Sequence, residues 1–135
     1  IWKEKEMIQG HRKENLVAEI SAGKHRLISG VSEELGGHDE GLDAHELLEA
    51  ALAACTIITL QMYANRKHWN LLSADVTVNI DSESSLESCI SRKIRLQGDL
   101  TEEQRMSLIA IANKCPIHKV LSSNITIKTD EVISV

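Results

Sequence analysis

The stretch from residue 47 to residue 64, LLEAALAACTIITLQMYA, restricts the fold of this chain more than any other feature. Its strongly polar members are Glu49 and Gln61 alone, so it is almost long enough and apolar enough to span a bilayer. Just before it, Asp43 and Glu46 have the spacing of an N-cap residue and its N3 partner, and basic residues follow its end. These helix signals, and the lack of a second such span, predict a buried helix of a soluble protein.

Alternating apolar and polar residues predict extended segments on both sides of this helix. A Ser-Ala-Gly-Lys turn joins the first two segments into a hairpin, and a polar SESSLES stretch joins the next two. The predicted strands are residues 16–21, 25–28, 76–80, 90–96 and 124–129.

A second helix is predicted after the second hairpin. Thr101 and Gln104 have the spacing of a capping box, and apolar residues continue at helical spacing. Pro116 would remove a backbone hydrogen bond inside a helix but suits the first turn of one, so the helix should break near Cys115. The resulting order contains hairpins rather than repeated crossovers, which predicts an α+β fold with a mainly antiparallel sheet and two main helices.

The apolar helix also bears on assembly. A helix that is apolar on every side must be covered on every side, and about five short strands with one further helix cover about two of its faces. A second copy of the chain would cover the remainder, and two-fold dimers are the commonest oligomers. The alternative is that its alanine-rich side packs tightly within one chain.

Composition excludes several partners and compartments. The 135 residues include 15 Lys and Arg against 20 Asp and Glu, a net charge of −5, and three aromatic residues, so neither the charge nor the stacking surface for nucleic acid is present. Three cysteines make no complete disulfide framework, and the first six residues, IWKEKE, are too charged for a secretory signal. We expect a single domain over residues 1–135 in a reducing cytoplasm, with no membrane partner.

The cysteines carry most of the candidate chemistry. Cys55 lies in the middle of the apolar helix, where a free cysteine taken alone is most often an inert core residue. Cys115 would be the N-cap of the turn that Pro116 opens, where free N–H groups and the helix dipole favour a thiolate, although a capping thiol can also be purely structural. Cys89, at the start of a predicted strand, is interpreted as a packing residue.

The histidines do not form a recognisable metal site. His118 follows Cys115 at the spacing of half a zinc site, and His38 and His45 flank the loop before the apolar helix. A zinc site normally needs a second close pair of ligands, and neutral surface histidines explain the same residues. We therefore expect no metal.

Three segments of the sequence form a recognisable pattern when taken in order: HELLEAALAACTIITLQMYANRKHW (45–69), IRLQGDLTEEQR (94–105) and NKCPIHKVL (113–121). In this order they resemble the OsmC/Ohr family of osmotically inducible and organic-hydroperoxide-resistance proteins, over about residues 27–129. The most specific elements are a cysteine late in an E-L-L-x-A-A-L-x-A-C run and a second cysteine in K-C-P-I-H. The resemblance implies an OsmC-like fold and an intertwined homodimer whose helices form a shared core between wrapped sheets.

The resemblance also implies a thiol-dependent peroxidase that reduces organic hydroperoxides and takes its electrons from small thiols or lipoylated proteins, without a bound cofactor. Cys55 matches the peroxidatic cysteine, which attacks the O–O bond and becomes a sulfenic acid. Cys115 matches the resolving cysteine, which condenses with it to a disulfide. Glu46 matches an acidic residue kept near the site, and Arg12 matches an arginine that would pair with the thiolate and lower its pKa.

The spacing of Glu46 and Cys55 limits how they can meet. On one straight helix, nine residues correspond to about 13.5 Å along the axis and about 180° around it. Glu46 can therefore serve Cys55 only if the helix bends or if the glutamate comes from the partner chain, which predicts a site at a subunit interface.

Departures from the family pattern keep other functions open. Ala44, His45 and Ala53 replace residues common in the hydroperoxide-resistance branch, so the chain resembles the broader OsmC-like group. One alternative is a binding module whose cleft holds an apolar small molecule without turnover. Another is a structural dimer that retains the fold without its chemistry.

Overall fold

The structure, a computed structural model, describes residues 7–134. The strands in this range form two antiparallel sheets, of order β1-β2-β3 and β4-β5, so the predicted α+β class is confirmed. The chain divides into two compact units, Ile1–Ala50 and Ala51–Val135. The elements are β1 (Gln9–Glu14), β2 (Val17–Ala22), β3 (His25–Ser29), a 3-10 turn (Glu33–Leu35), α1 (Ala44–Lys67), β4 (Asn70–Glu83), β5 (Ser88–Asp99), α2 (Glu102–Ala112) and α3 (Pro116–Leu121).

The first unit contains the meander of β1, β2 and β3. The predicted hairpin is present as β2 and β3, with Ala18 opposite Ser29. The turn that precedes it places Asn15 at φ 44°, a left-handed conformation that asparagine tolerates. β1 was not predicted, because all six of its residues are exposed and show no apolar alternation; it pairs with β2 through the backbone.

Helix α1 begins at the predicted cap. Asp43 Oδ1 accepts the Glu46 N–H at 2.8 Å, and Glu46 Oε1 accepts the Asp43 N–H at 3.0 Å. By length and composition α1 could cross a membrane, and 28% of its most apolar stretch is buried within one chain. Ile57 and Ile58 on this helix are exposed, so a single chain leaves part of its apolar surface uncovered.

The second unit is built around a long antiparallel hairpin of β4 and β5. Its pairing runs from Asn70 opposite Asp99 to Glu83 opposite Ser88, well beyond the predicted apolar segments, because polar residues at both ends pair through their backbones. Gly98 is needed at the open end of the hairpin, where it lies opposite Leu71, since a Cβ at its φ of 148° would collide with the Asn70 carbonyl oxygen. The main buried cluster of this unit contains Leu60, Ala64, Leu71, Leu108 and Ala112.

Helices α2 and α3 follow the predicted signals. Thr101 Oγ1 accepts the Gln104 N–H at 3.1 Å, and Gln104 Oε1 accepts the Thr101 N–H at 3.0 Å, which completes the capping box. The helix then breaks, and Pro116 occupies the first turn of α3. The final strand predicted over residues 124–129 is wrong, because no described strand edge pairs with this segment and its Ile127 is 84% exposed.

Candidate functional site

Two cysteines that are 60 residues apart in sequence meet in one apolar cluster of the second unit. Cys55 is 6% exposed and Cys115 is fully buried, and both pack with Leu52. Strands β4 and β5 and helix α3 cover the cluster with partly buried side chains: Val78, Ile90, Ile117 and Leu121. The fold therefore brings together the two thiols that the sequence singled out.

Cys115 is held at the junction of α2 and α3. It is the N-cap of α3 in an extended conformation, as predicted, and its Sγ accepts the His118 backbone N–H at 3.3 Å. Its own N–H donates to the Ala112 carbonyl at the end of α2. These two hydrogen bonds fix the position of the Cys115 sulfur at the start of α3.

Cys55 lies in an environment that favours the protonated thiol. Burial raises its pKa, and the neighbouring Cys115 side chain raises it further. Hydrogen bonds from the Ile117 backbone and the Thr59 side chain act in the opposite direction, with Thr59 Oγ1 at 3.9 Å from the sulfur. This environment therefore keeps Cys55 mostly as a thiol at neutral pH.

A polar network runs from the buried cysteines toward solvent. The Thr56 hydroxyl, fully buried on α1, donates to the Leu52 carbonyl at 2.7 Å and lies 4.0 Å from Cys115 Sγ. Arg92 on β5 donates from Nη1 to Thr56 Oγ1 at 3.0 Å. Its Nη2 donates to Asn113 Oδ1 at 3.1 Å and contacts His118 Nδ1 at 3.3 Å. Arg92 thus joins three elements around Cys115.

His118 is a member of this network rather than a free surface histidine. Arginine has no acceptor, so His118 Nδ1 must accept from Arg92, and the ring carries its proton on Nε2. Burial and then the charge of Arg92 lower the pKa of His118. Within residues 7–134 no three His, Cys, Asp or Glu side chains are grouped to hold a metal ion.

A cleft of about 530 Å³ opens beside the cysteine cluster. Its lining includes the polar Arg92 and His118 and the apolar Leu52, which belongs to the cluster of Cys55 and Cys115, so a molecule in the cleft would lie next to that cluster. The remaining lining residues are Ser88, Cys89, Ile90, Leu121 and Ser122.

Cys89 lies on the rim of this cleft, and the interpretation of it as a packing residue is wrong. Its side chain is exposed, with the sulfur 4.0 Å from Asp81 Oδ2 on β4. Cys89 precedes Ile90, which packs against the cluster, and neighbouring residues on a strand face opposite sides.

Glu46 and Arg12 belong to the first unit. Glu46 is engaged in the cap of α1, and Arg12, exposed on β1, donates from Nη1 to the Asn15 carbonyl at 3.3 Å. Arg12 also lines an open cleft of about 510 Å³ with Val17 and Ala44. Their roles beside Cys55 stay predictions.

The fold and the paired cysteines define a class of small proteins with two buried thiols beside a cleft. The sequence profile of one such family, described as OsmC-like protein, matches residues 37–130. This is well over half of the chain, so the protein belongs to the OsmC-like family. A separate comparison with curated protein sequences gave no significant match.

Solved structures with this fold include proteins from several bacteria. An OsmC-like protein from Mycoplasma pneumoniae has a TM-score of 0.75 at 17% identity, over 89% of each chain. An organic hydroperoxide resistance protein OsmC from Legionella pneumophila has a TM-score of 0.64 at 21% identity, over 87% of this chain and 89% of that chain. The organic hydroperoxide resistance protein OhrB from Bacillus subtilis has a TM-score of 0.59 at 18% identity, over 87% and 90%. At these identities the similarity shows the fold.

Proposed function

We propose that this protein is a thiol-dependent peroxidase that reduces organic hydroperoxides through Cys55 and Cys115. The observation that carries the proposal is the meeting of these two distant cysteines in one buried cluster beside an open cleft. The names of the Legionella and Bacillus proteins with the same fold support the substrate class.

The reaction follows from two thiols in one site. The Cys55 thiolate attacks the terminal oxygen of the hydroperoxide, so that an S–O bond forms, the O–O bond breaks and the alkoxide takes a proton and leaves as an alcohol. Cys115 then attacks the sulfenic sulfur of Cys55, an S–S bond forms and water leaves. Two external thiols, or one dihydrolipoyl group, reduce the disulfide. No bound cofactor is required, and the reducing cytoplasm suits the cycle.

The raised pKa of Cys55 supports a role for a further group that favours its thiolate. A thiol attacks peroxide as the thiolate, so a further positive charge beside Cys55 would accelerate the first step. Arg12 is proposed for this role and Glu46 is proposed to orient it, with the glutamate reaching the site from the partner chain or through a bend in α1. Both residues remain proposals.

A homodimer is part of the proposal. Exposed apolar residues on α1 need cover, and so do the alternating isoleucines of the C-terminal segment, Ile125 and Ile127. A second copy supplies matching apolar surface without a membrane. We expect light scattering to give twice the mass of one chain in detergent-free buffer. A monomer, or protein recovered only with detergent, would contradict this arrangement.

The second candidate function is a binding module without turnover. The deep burial of both thiols and the raised pKa of Cys55 favour it, because a buried, protonated thiol is a poor nucleophile. In this function the cleft holds a small molecule with an apolar part against Leu52 and a polar part near Arg92.

Thiol counting separates the two functions. We expect one equivalent of an organic hydroperoxide to remove two thiols from the parent protein and from the matched control Cys89→Ser. Cys115→Ser should accumulate a trappable sulfenic acid, and Cys55→Ser should lose no thiol rapidly. Unchanged thiols in the parent protein would overturn the peroxidase proposal and leave the binding module.

A further inference from the structure

We propose that Arg92 is a positioning residue of the cysteine pair, which fixes Cys115 for attack on the oxidised Cys55 and places a positive charge near its sulfur. The inference rests on the proposed function, in which Cys115 attacks the oxidised Cys55. The family resemblance implies Arg12 as the arginine beside the reactive cysteine. The role of Arg92 is inferred from its hydrogen bonds alone.

The place of Arg92 in β5 is unusual for a charged residue. Along this strand Ile90, Arg92 and Ile94 alternate with exposed residues, so the guanidinium lies on the face that packs against the helices. A partly buried cation costs desolvation free energy unless its hydrogen bonds are satisfied. The site recovers part of this cost through three acceptors: Thr56, Asn113 and His118.

All three acceptors of Arg92 are uncharged. Thr56 and Asn113 are neutral by nature, and His118 must accept at Nδ1 and is therefore neutral as well. The positive charge near Cys115 is thus satisfied by hydrogen bonds, and among residues 7–134 no carboxylate forms an ion pair with it. Such a charge stabilises a negative charge that develops nearby.

The same bonds fix the position of the Cys115 sulfur. Arg92 holds the ring of His118, whose backbone N–H donates to Cys115 Sγ. It also holds Asn113, the C-cap of α2 two residues before Cys115, and Thr56, whose hydroxyl is 4.0 Å from the sulfur. Loss of the Arg92 side chain would therefore remove the contacts that hold His118, Asn113 and Thr56 around the Cys115 sulfur.

The groups that face Cys115 limit what else could control its ionisation. Lys114 and Lys119 are close to Cys115 in sequence, but both are exposed. Among the described residues, those that face it are Cys55 from α1, Arg92 from β5 and His118 from α3, while β4 contributes the apolar Val78. Of these, Arg92 alone is charged at neutral pH. A change in the titration of Cys115 after substitution of Arg92 therefore reports the charge or the position of Arg92.

The test uses a chain in which Cys115 is the single thiol, made by Cys55→Ser and Cys89→Ser. The ultraviolet absorbance of the thiolate is followed against pH, a signal that needs no reagent to enter the site. We expect Arg92→Met to move the midpoint upward by about 0.5 to 1 pH unit. Arg92→Lys should keep the midpoint near that of the parent. The matched control is Arg95→Met, on the exposed face of the same strand.

A second measurement tests positioning in the full chain. After a pulse of organic hydroperoxide, Arg92→Met and Arg92→Lys should both lengthen the life of the Cys55 sulfenic acid, because lysine keeps the charge but not the planar fork that holds three acceptors. Thermal unfolding checks that each variant is folded, and Arg92→Gln replaces any variant that is not.

The outcomes separate this inference from the proposed function. If the parent protein loses no thiols to hydroperoxide, the peroxidase proposal fails while the titration of Cys115 still tests Arg92. If the parent loses two thiols but the Arg92 variants match Arg95→Met in both midpoint and sulfenic acid lifetime, the role of Arg92 is overturned.

Discussion

The two compact units differ in how they bury apolar side chains. Among the described residues of the first unit, Val17 is the one buried hydrophobic side chain, while Leu16, Leu27 and Ile28 are exposed. The second unit buries eight, which form two clusters: Leu52, Cys55, Leu60, Ala64, Leu71, Leu108, Ala112 and Cys115. Burial of apolar surface is the main term that offsets chain entropy, so the second unit carries most of the stability that a single chain provides.

The same difference separates the candidate site residues. Both thiols, and the network that holds Cys115, lie in the second unit, where packing fixes each side chain. Glu46 and Arg12 lie in the first, where the strands are held mainly by backbone pairing. The proposed chemistry of the thiols therefore depends on the well-packed unit, whereas their proposed activation depends on residues of the unit that buries few of its described apolar side chains.

The largest effect is expected from truncation in the core of the second unit. Leu60→Ala removes a fully buried side chain and should lower the free energy of unfolding by about 2–5 kcal/mol. Leu27→Ala, at a side chain 44% exposed in the first unit, should lower it by less than about 1 kcal/mol. Urea denaturation measures both. Equal losses would show that the two units are stabilised alike.

Local signals made much of the fold predictable. The caps at Asp43 and Thr101 and the break before Pro116 depend on a few neighbouring residues, and each was found where the sequence placed it. β1 was missed because its pairing uses the backbone and leaves no apolar period. The strand over residues 124–129 was predicted from alternation alone, although alternation makes a strand only where a sheet edge is available.

The site was predictable in part. Cys55 and Cys115 were identified by resemblance, but their polar surroundings were not. Arg92 alternates with Ile90 and Ile94 along β5 and therefore lies on the same face of the strand. A charged residue at a position of the apolar face was the sequence signal that could have identified it. The same alternation places Cys89, one residue before Ile90, on the outward face of β5. The partners of Arg92 lie on three other elements, and such contacts cannot be read from one strand.

The pH dependence of peroxide attack tests the environment of Cys55. Because burial raises the pKa of this thiol, the thiolate fraction and the rate of the first step should rise about tenfold per pH unit through the neutral range. The increase should continue beyond the ordinary thiol pKa. Stopped-flow measurement of sulfenic acid formation in Cys115→Ser gives this profile. A plateau below pH 7 would show that the assembled protein reverses the effect of burial.

Variants of the first unit test whether it activates the second. Arg12→Met and Glu46→Gln should each lower the rate of the first step at pH 7 by roughly tenfold. Glutamine keeps the oxygen that caps α1, so the loss would come from the charge. Arg26→Met, an exposed arginine of the same unit, is the control. If both variants attack peroxide at the rate of Arg26→Met, Cys55 reacts without help from Arg12 and Glu46.

The N-terminal caps of α1 and α2 should contribute equally to stability, although they lie in different units. Asp43→Ala and Thr101→Ala each remove a side-chain acceptor at a helix N-terminus, and each should cost about 1 kcal/mol of unfolding free energy. Cap bonds are local, so their contribution does not depend on the size of the surrounding core. Urea denaturation would contradict this if one variant lost several times more than the other.

The smallest effect is expected from the titration of His118. Burial and the charge of Arg92 lower its pKa below the ordinary value of 6.5, so between the two pKa values the unfolded chain binds more protons than the folded one. The contribution of His118 to the free energy of unfolding should therefore be fully present above pH 6.5. It should decline as the pH falls below that value toward the lower pKa of the folded protein. His118→Asn should flatten this slope, whereas His25→Asn, at an exposed histidine of the first unit, should leave it unchanged. Equal slopes in all three proteins would place the acid sensitivity outside the network of Arg92.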